Sequence, residues 1–299
     1  MMTLYDVLKK HQENPKDKRL FGLVLQGGGM RAAYSAGAIV PLIEYSFAST
    51  FEHVIGSSAG AINGAYFLGG DIETYHTYTD DLTNKNFVNL LRQDKKVNID
   101  YLVDLVLKHK RPVNIPNLLN SRSQLHVILT DAITGKKTII SDHHKFAQIY
   151  EEFRATAALP IFYDKKVTVE GRDYIDGGVA DLIPIDIAVK LGCTDIVVVM
   201  TQRIENYHFD RRHDRLIKRI IKQLARKQPQ AIQAILPTNE KLLQANLRFL
   251  RRPHRKVRLY ILEPSNNSTL VQIYETDKPD VERLARLGIT DMDEFYTRT

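Results

Sequence analysis

Twice in its first seventy residues the chain runs through the same three-part pattern: a short apolar run, a knot of small residues, and an apolar stretch rich in alanine. Phe21–Gln26 ends in Gly27-Gly28-Gly29 and gives way to Met30–Tyr45; Glu52–Ile55 ends in Gly56-Ser57-Ser58-Ala59-Gly60 and gives way to Ala61–Leu68. A short run without polar alternation reads as a strand buried on both faces, small residues mark the turn, and alanine favours helix. More strands follow at Leu125–Thr130 and Asp195–Met200. Lys137–Ile140 returns after the turn at Ala132–Gly135, and Val167–Val169 pairs with Asp173–Ile175 in a hairpin turning at Glu170-Gly171. Helix is expected over 143–158, interrupted at Pro160, and again from Pro184; residues 71–120 read as mostly helical and irregular. Strands alternating with helices predict an α/β protein, with helices layered on both faces of a mainly parallel central sheet. Three segments are expected: a lead-in helix over 1–19, a main domain over 20–203, and a basic, mostly helical C-terminal extension over 204–299, to which Val257–Leu262 adds a strand.

The extension also concentrates the charge. The chain of 299 residues carries +7, yet residues 203–256 hold 15 basic and 4 acidic side chains, leaving the remainder net acidic. Such a segment suits nucleic acid, an anionic membrane or an acidic partner, or is simply a solvated helix face. No zinc-finger spacing, aromatic RNA-binding strand or helix-turn-helix signal supports nucleic acid. Within Arg211–Lys227, Leu216, Ile217, Ile220, Ile221 and Leu224 share an arc of about 140°, with Arg215, Lys218, Arg219, Lys222 and Arg226 opposite. That is the pattern of a helix packed on its own domain, or of one lying on an anionic bilayer. A hydrophobic content of 43% and charged content of 26% exclude wholesale disorder. Cys193 is the one cysteine, so no intrachain disulfide forms and a reducing compartment fits. No run approaches eighteen apolar residues, and the polar N-terminus lacks a signal-peptide core; a cytoplasmic protein, at most peripheral to membrane, is expected.

Chemistry concentrates at the turns. Gly56, Ser58 and Gly60 satisfy Gly-x-Ser-x-Gly between a strand and a helix, where a tight turn projects a serine hydroxyl and the helix start offers N–H groups to a developing oxyanion. The bland alternative is a helix cap by Ser57 or Ser58. Ser57 lacks the flanking glycines in register. Gly27-Gly28-Gly29-Met30-Arg31 leaves several backbone amides unobstructed for one anion, which suits an oxyanion hole or a phosphate loop. Gly27, Gly29 and Ala32 also fit G-x-G-x-x-A, but the acid that a dinucleotide needs at the end of the second strand is missing; Glu52 begins that strand. A serine nucleophile needs a base. His208, His213 and His254 follow in polar, basic sequence. Asp176 ends an apparent strand and precedes Gly177-Gly178, which is either a surface turn or a base placed beside another strand end. Aspartate is a weak base, with an ordinary pKa near ~3.9, and serves only if desolvated and bonded to the serine. Asp142, His143 and His144 lack metal-ligand spacing, and Asp142 reads as a helix cap. Cys193 has no activating neighbour and reads as structural.

Taken together and in order, Gly27-Gly28-Gly29-Met30-Arg31, Gly56-Ser57-Ser58-Ala59-Gly60 and Asp176-Gly177-Gly178 resemble the patatin-like phospholipase family, over roughly residues 20–200. Ala155-Thr156-Ala157-Ala158-Leu159-Pro160 is similar to that family's small-residue segment ending in Leu-Pro. Where the family has glycine after the arginine, this chain has Ala32. The resemblance implies the patatin-like fold and a lipid acyl hydrolase with a Ser–Asp dyad that needs neither metal nor organic cofactor. Ser58 would be the nucleophile and Asp176 the base. Gly27, Gly28 and Gly29 would form the oxyanion hole, with Arg31 positioning that loop or the anion, and a lipid would be the substrate. The rival expectations are a Ser-His-Asp esterase completed by His208 or His254, a silent lipid- or protein-binding module, and a nucleotide-binding protein.

Overall fold

The apolar runs become strands, and the continuous apolarity of the central ones has one cause: both faces of the sheet are covered there. The computed structural model describes residues 2–92, 95–143, 146–160, 162–163, 165–207, 230–266 and 271–297. The amphipathic stretch 211–227, His144, His208 and His213 lie outside the described residues. The strands are β1 (Phe21–Leu25), β2 (His53–Ser57), β3 (Gln124–Asp131), β4 (Lys137–Ile140), β5 (Val167–Val169), β6 (Arg172–Asp176), β7 (Asp195–Val199) and β8 (Arg258–Leu262). The helices are α1 (Leu4–Glu13), α2 (Ala33–Glu44), α3 (Ala59–Gly69), α4 (Ile115–Asn120), α5 (Phe146–Ala157), α6 (Gly177–Ala180), α7 (Ile185–Lys190), α8 (Gln230–Arg251) and α9 (Lys278–Thr297). Two π-helical segments, Thr77–Leu82 and Tyr101–Lys110, account for part of the irregular stretch.

The sheet order is β5-β6-β3-β2-β1-β7-β8, with β4 also paired to β3. β1, β2, β3, β7 and β8 run parallel; β4 and β6 are antiparallel to β3, and β5 to β6. Alternate side chains enter opposite cores. Leu23, Leu25, Val54, Val127, Val197 and Val199 join the core built with α2, α3, α5 and α9. Val24, Ile55, Ile128, Ile196 and Val198 join the one built with α7 and with Leu247 and Leu250 of α8. The β5–β6 hairpin turns at Glu170 (φ +50°) and Gly171 (φ +76°), the left-handed pair that matches strand twist.

Residues beyond 204 build onto this same body. β8 extends the sheet beside β7, and α9 lies along α2 at backbone contact: a Cβ on Gly288 would stand 2.0 Å from the Tyr34 carbonyl oxygen. The Tyr34 hydroxyl donates to Asp291 Oδ2 (2.9 Å) across that contact. The helix expected over 143–158 is described from Phe146 to Ala157, and the residues that a cap by Asp142 would serve lie outside the described residues. His143 points inward, bonding Glu152 Oε2 (2.6 Å) and the Leu125 carbonyl (3.0 Å). No helix among the described residues is long and apolar enough to cross a membrane.

Candidate active site

Ser58 and Asp176 lie 118 positions apart, and one strand edge joins them. Ser57, the last residue of β2, pairs with Ile128 of β3; Asp176, the last residue of β6, pairs with Leu129. Ile128 also pairs with Ile139 of β4, and Thr130 pairs with both Lys137 of β4 and Ile175 of β6. β4 therefore occupies one edge of β3, while β2 and β6 share the other and meet end to end. Two strand ends converge there, and the next residue of each chain turns into a helix.

Ser58 takes φ +53° and ψ −133°, conditions that a residue bearing a side chain rarely adopts. Its hydroxyl does not cap α3; it donates to Asp176 Oδ2 at 2.8 Å. The elbow is tight enough to exclude side chains: a Cβ on Gly56 would stand 2.5 Å from Ala61 N, and one on Gly60 2.3 Å from Leu25 O. Two threonines fix the pair from behind. The Ser58 N–H donates to Thr156 Oγ1 (2.8 Å), which donates on to Ile128 O (2.7 Å). Thr130 Oγ1 donates to Asp176 O (2.7 Å) and accepts the Ala180 N–H (3.0 Å). Asp176 Oδ1 accepts the Gly178 N–H at 2.7 Å, leaving Oδ2 to the serine. Sequence reasoning missed both threonines. Thr156 sits in the Ala-rich segment and Thr130 in a strand, where nothing but β-propensity marks them.

Asp176 is 3% exposed, so its Asp-Gly-Gly is not a surface turn. Burial pushes its carboxyl up to about 7, against the lowering effect of the bonds from Ser58 and Gly178. Ser57 is turned elsewhere, its hydroxyl donating to Leu182 O at 3.3 Å.

The glycine loop runs beside the elbow: a Cβ on Gly27 would approach Ser58 Cβ to 3.1 Å. Gly29 has φ +57°, and a Cβ there would meet Ile273 O at 2.3 Å, so this position admits little but glycine. Met30 N–H donates to Ile273 O (3.0 Å) and Thr201 Oγ1 donates to Gly27 O (3.0 Å), holding the loop from both sides. The N–H groups of Gly28 and Gly29 donate to no acceptor among the described residues. Arg31 donates to Gln202 Oε1 (2.5 Å) and has no carboxylate partner among the described residues; burial draws it below the ordinary guanidinium value.

These groups line one cavity of about 370 Å³. Gly28, Gly29, Arg31, Ser58 and Asp176 supply its polar part, and Leu82, Phe87, Val97, Leu102, Phe162 and Ile273 much of its apolar wall. Ile273 and Tyr274, beyond residue 204, close it, with the Tyr274 and Phe162 rings 5.1 Å apart. No histidine among the described residues lines it. His254 lies exposed beside Phe249. His53 and His126 bond each other at 3.0 Å, four residues down β2 from Ser57 or roughly 13 Å along a strand. Glu52 sits at that far end too, accepting the Phe21 N–H (2.6 Å), and faces nothing at the glycine loop. No group of three or more metal-ligating side chains converges among the described residues. Cys193 is buried against Gly22, its thiol pushed up to about 12 by burial.

The patatin-like phospholipase family profile matches residues 23–189. An Escherichia coli protein described as uncharacterised, YjjU, is 24% identical over 255 residues, covering 81% of this chain and 68% of that protein. Mouse 1-acylglycerol-3-phosphate O-acyltransferase Pnpla3 is 25% identical over 179 residues, covering 56% of this chain and 41% of that protein. Among solved structures, VipD from Legionella pneumophila superposes with a TM-score of 0.45 at 13% identity, covering 94% of this chain and 67% of that chain. Human GIVD cytosolic phospholipase A2 gives 0.42 at 12% identity, covering 97% and 60%.

Proposed function

Because the chain belongs to the patatin-like phospholipase family, we propose that it is a serine acyl hydrolase that cleaves acyl esters of phospholipids or related lipids through a Ser58–Asp176 dyad. The observation that carries this reading is the 2.8 Å bond from Ser58 Oγ to a buried carboxylate at the head of an apolar cavity. Ser58 Oγ attacks the ester carbonyl carbon as its proton passes to Asp176 Oδ2. The carbonyl oxygen becomes an oxyanion and is stabilised by the Gly28 and Gly29 N–H groups, which donate to no acceptor among the described residues. Collapse of the tetrahedral intermediate breaks the ester C–O bond, and Asp176 returns the proton to the leaving alkoxide. A water molecule, deprotonated by Asp176, then attacks the acyl-enzyme carbonyl; the bond to Ser58 Oγ breaks, Asp176 returns the proton to Oγ, and the fatty acid is released. A carboxyl held near 7 accepts a proton far more readily than one near 3.8. The apolar wall takes the acyl chain, and Arg31 presents a positive charge to the anionic part of the substrate.

Residues 20–203 hold the dyad and the glycine loop, and the extension contributes the cavity wall at Ile273 and Tyr274. A Ser-His-Asp arrangement has no support among the described residues, since His254 does not line the cavity that holds the serine; His208 lies outside them. The one competing outcome concerns the acceptor. An alcohol of a lysolipid, entering in place of water, turns the same acyl-enzyme into an acyl transferase, the activity named in the mouse relative. Incubation with a phospholipid panel, with and without lysolipid acceptors, separates the two: free fatty acid and lysolipid are expected. Products containing a re-esterified acceptor and no free fatty acid would assign transfer instead.

A further inference from the structure

The cavity wall continues outward into a small projecting loop. Phe87 and Val97 line the cavity, and just beyond them the chain folds back on itself: Asn98 N–H donates to Phe87 O (2.8 Å) and Asn89 N–H to Lys96 O (2.8 Å), with Val88 bridged to Val97. The returning limb is anchored to the body, Val97 N–H donating to Phe162 O (3.0 Å). At the outer end, Leu90 is 50% exposed and Leu91 94%, the most exposed large apolar side chain among the described residues.

Single exposed leucines are ordinary, but two in succession on a hydrogen-bonded turn that leads out from two cavity-lining residues are not. The turn that presents them is built. Asn89 Oδ1 accepts the Leu91 N–H (3.1 Å), and the Asn89 carbonyl accepts the Arg92 N–H (3.1 Å). The Arg92 guanidinium then reaches back to the Lys85 carbonyl (2.9 Å) and the Asn86 carbonyl (3.1 Å), stapling the two limbs. The surroundings are basic: residues 85–96 carry Lys85, Arg92, Lys95 and Lys96 against Asp94 alone. Lys95 pairs with Asp100; Lys85 stands exposed, as do Lys165 and Lys166 on the neighbouring segment, where Lys166 pairs with Asp173.

An apolar tip within a basic collar, carried by limbs whose Phe87 and Val97 line an apolar cavity, matches one partner: an anionic lipid surface. We propose that the turn carrying Leu90 and Leu91 is a membrane-docking element, in which the two leucines enter the acyl boundary, the basic collar meets anionic headgroups, and the cavity is set against the bilayer. This deepens the acyl-hydrolase reading and rests on it for the purpose of docking. The apolar pair supplies burial and the lysines supply attraction that salt screens.

The test uses the full chain. Co-sedimentation of Ser58→Ala protein, which cannot consume the lipid, with phosphatidylcholine vesicles and with phosphatidylcholine/phosphatidylglycerol vesicles reads binding without turnover. Preferential binding to the anionic vesicles is expected. Leu90→Ser/Leu91→Ser should weaken it at least about tenfold, the equivalent of about 1.4 kcal/mol. In the Ser58 enzyme the same pair should lower hydrolysis of vesicle phospholipid by a like factor while leaving hydrolysis of a soluble p-nitrophenyl ester unchanged, which also reports folding. Leu91→Trp should shift its emission to the blue on anionic vesicles. Unchanged vesicle binding by the double serine variant, or a tryptophan whose emission ignores vesicles, would overturn the proposal. An inert soluble ester with wild-type protein would instead count against the hydrolase reading, and the binding arm would still decide docking.

Discussion

At the scale of single residues, the turns around Ser58 and Asp176 are built from positions that tolerate only one type of side chain. Gly-x-Ser-x-Gly and Asp-Gly-Gly stood out because tight elbows exclude Cβ atoms, as at Gly56, Gly60 and Gly177, where a Cβ would fall 1.9 Å from Ile128 O. Thr130 and Thr156 were illegible, since a threonine that clamps a backbone and one that merely fills a strand are the same letter. Their removal is expected to act through the serine: Thr156→Val should lower kcat/KM more than it lowers stability, with Thr156→Ser restoring most of the rate because it keeps the Oγ that accepts the Ser58 N–H. Loss of that bond strands a buried donor, a cost of about 1–3 kcal/mol. Asp176 makes two further predictions from one shift. As the proposed base it must be ionised, so the rate should rise with pH through an apparent pKa close to 7, well above an ordinary carboxylate. Its stability effect has the opposite sense. The folded carboxyl sits at about 7 and the unfolded one near 3.8, so folding favours the protonated form. That stability is fully present below the unfolded value and is lost as pH rises through 7. Asp176→Asn should therefore melt higher than wild type at pH 8 and show no such advantage at pH 3. A pH-independent difference in melting temperature would contradict the buried, perturbed carboxylate.

At the scale of elements, hydrophobic runs foretold the strands well. β1, β3 and β7 fall within a residue of their expected limits, because a strand buried on both faces has few polar positions to blur it, and the half-buried β8 starts one residue after its expected limit. β2 runs on through Gly56 to Ser57, and α3 starts at Ala59, two residues before Ala61; Ser58 is thus the hinge between them. Register was beyond reach. Nothing in the sequence says that β2 and β6 abut along the same edge of β3, although that abutment brings residues 58 and 176 together. Long-range pairing depends on which edge of β3 is already taken by β4, a tertiary fact. The α2–α9 contact was equally hidden, since it rests on glycines inside helices, where sequence reading expects only weakness. Gly288→Ala places a methyl 2.0 Å from the Tyr34 carbonyl oxygen and should cost about 1–3 kcal/mol by forcing the helices apart. A chemical-denaturation midpoint equal to wild type would show that the helices separate freely.

For the whole molecule, the layered architecture follows from strands with two apolar faces, and the two cores on either side of the sheet fulfil that expectation. The cavity was not foreseeable as a unit. Its walls come from the elbow, the π-helical region, the 87–98 loop and Ile273–Tyr274, segments spread over most of the chain and joined only by packing. The basic stretch 211–227, read as an amphipathic helix, lies outside the described residues, and the loop at Leu90 and Leu91 offers a separate route to membrane. All of this serves one claim, that Ser58 becomes acylated with Asp176 as its base. The most direct test is intact-mass measurement after exposure to a fluorophosphonate, run on wild type, Ser57→Ala, Ser58→Ala and Asp176→Asn. The account predicts a single stoichiometric adduct, mapped to Ser58, in wild type and Ser57→Ala, labelling slowed about a thousandfold or more in Asp176→Asn, and none in Ser58→Ala. An adduct that persists in folded Ser58→Ala, or one that forms at the wild-type rate in Asp176→Asn, would contradict it.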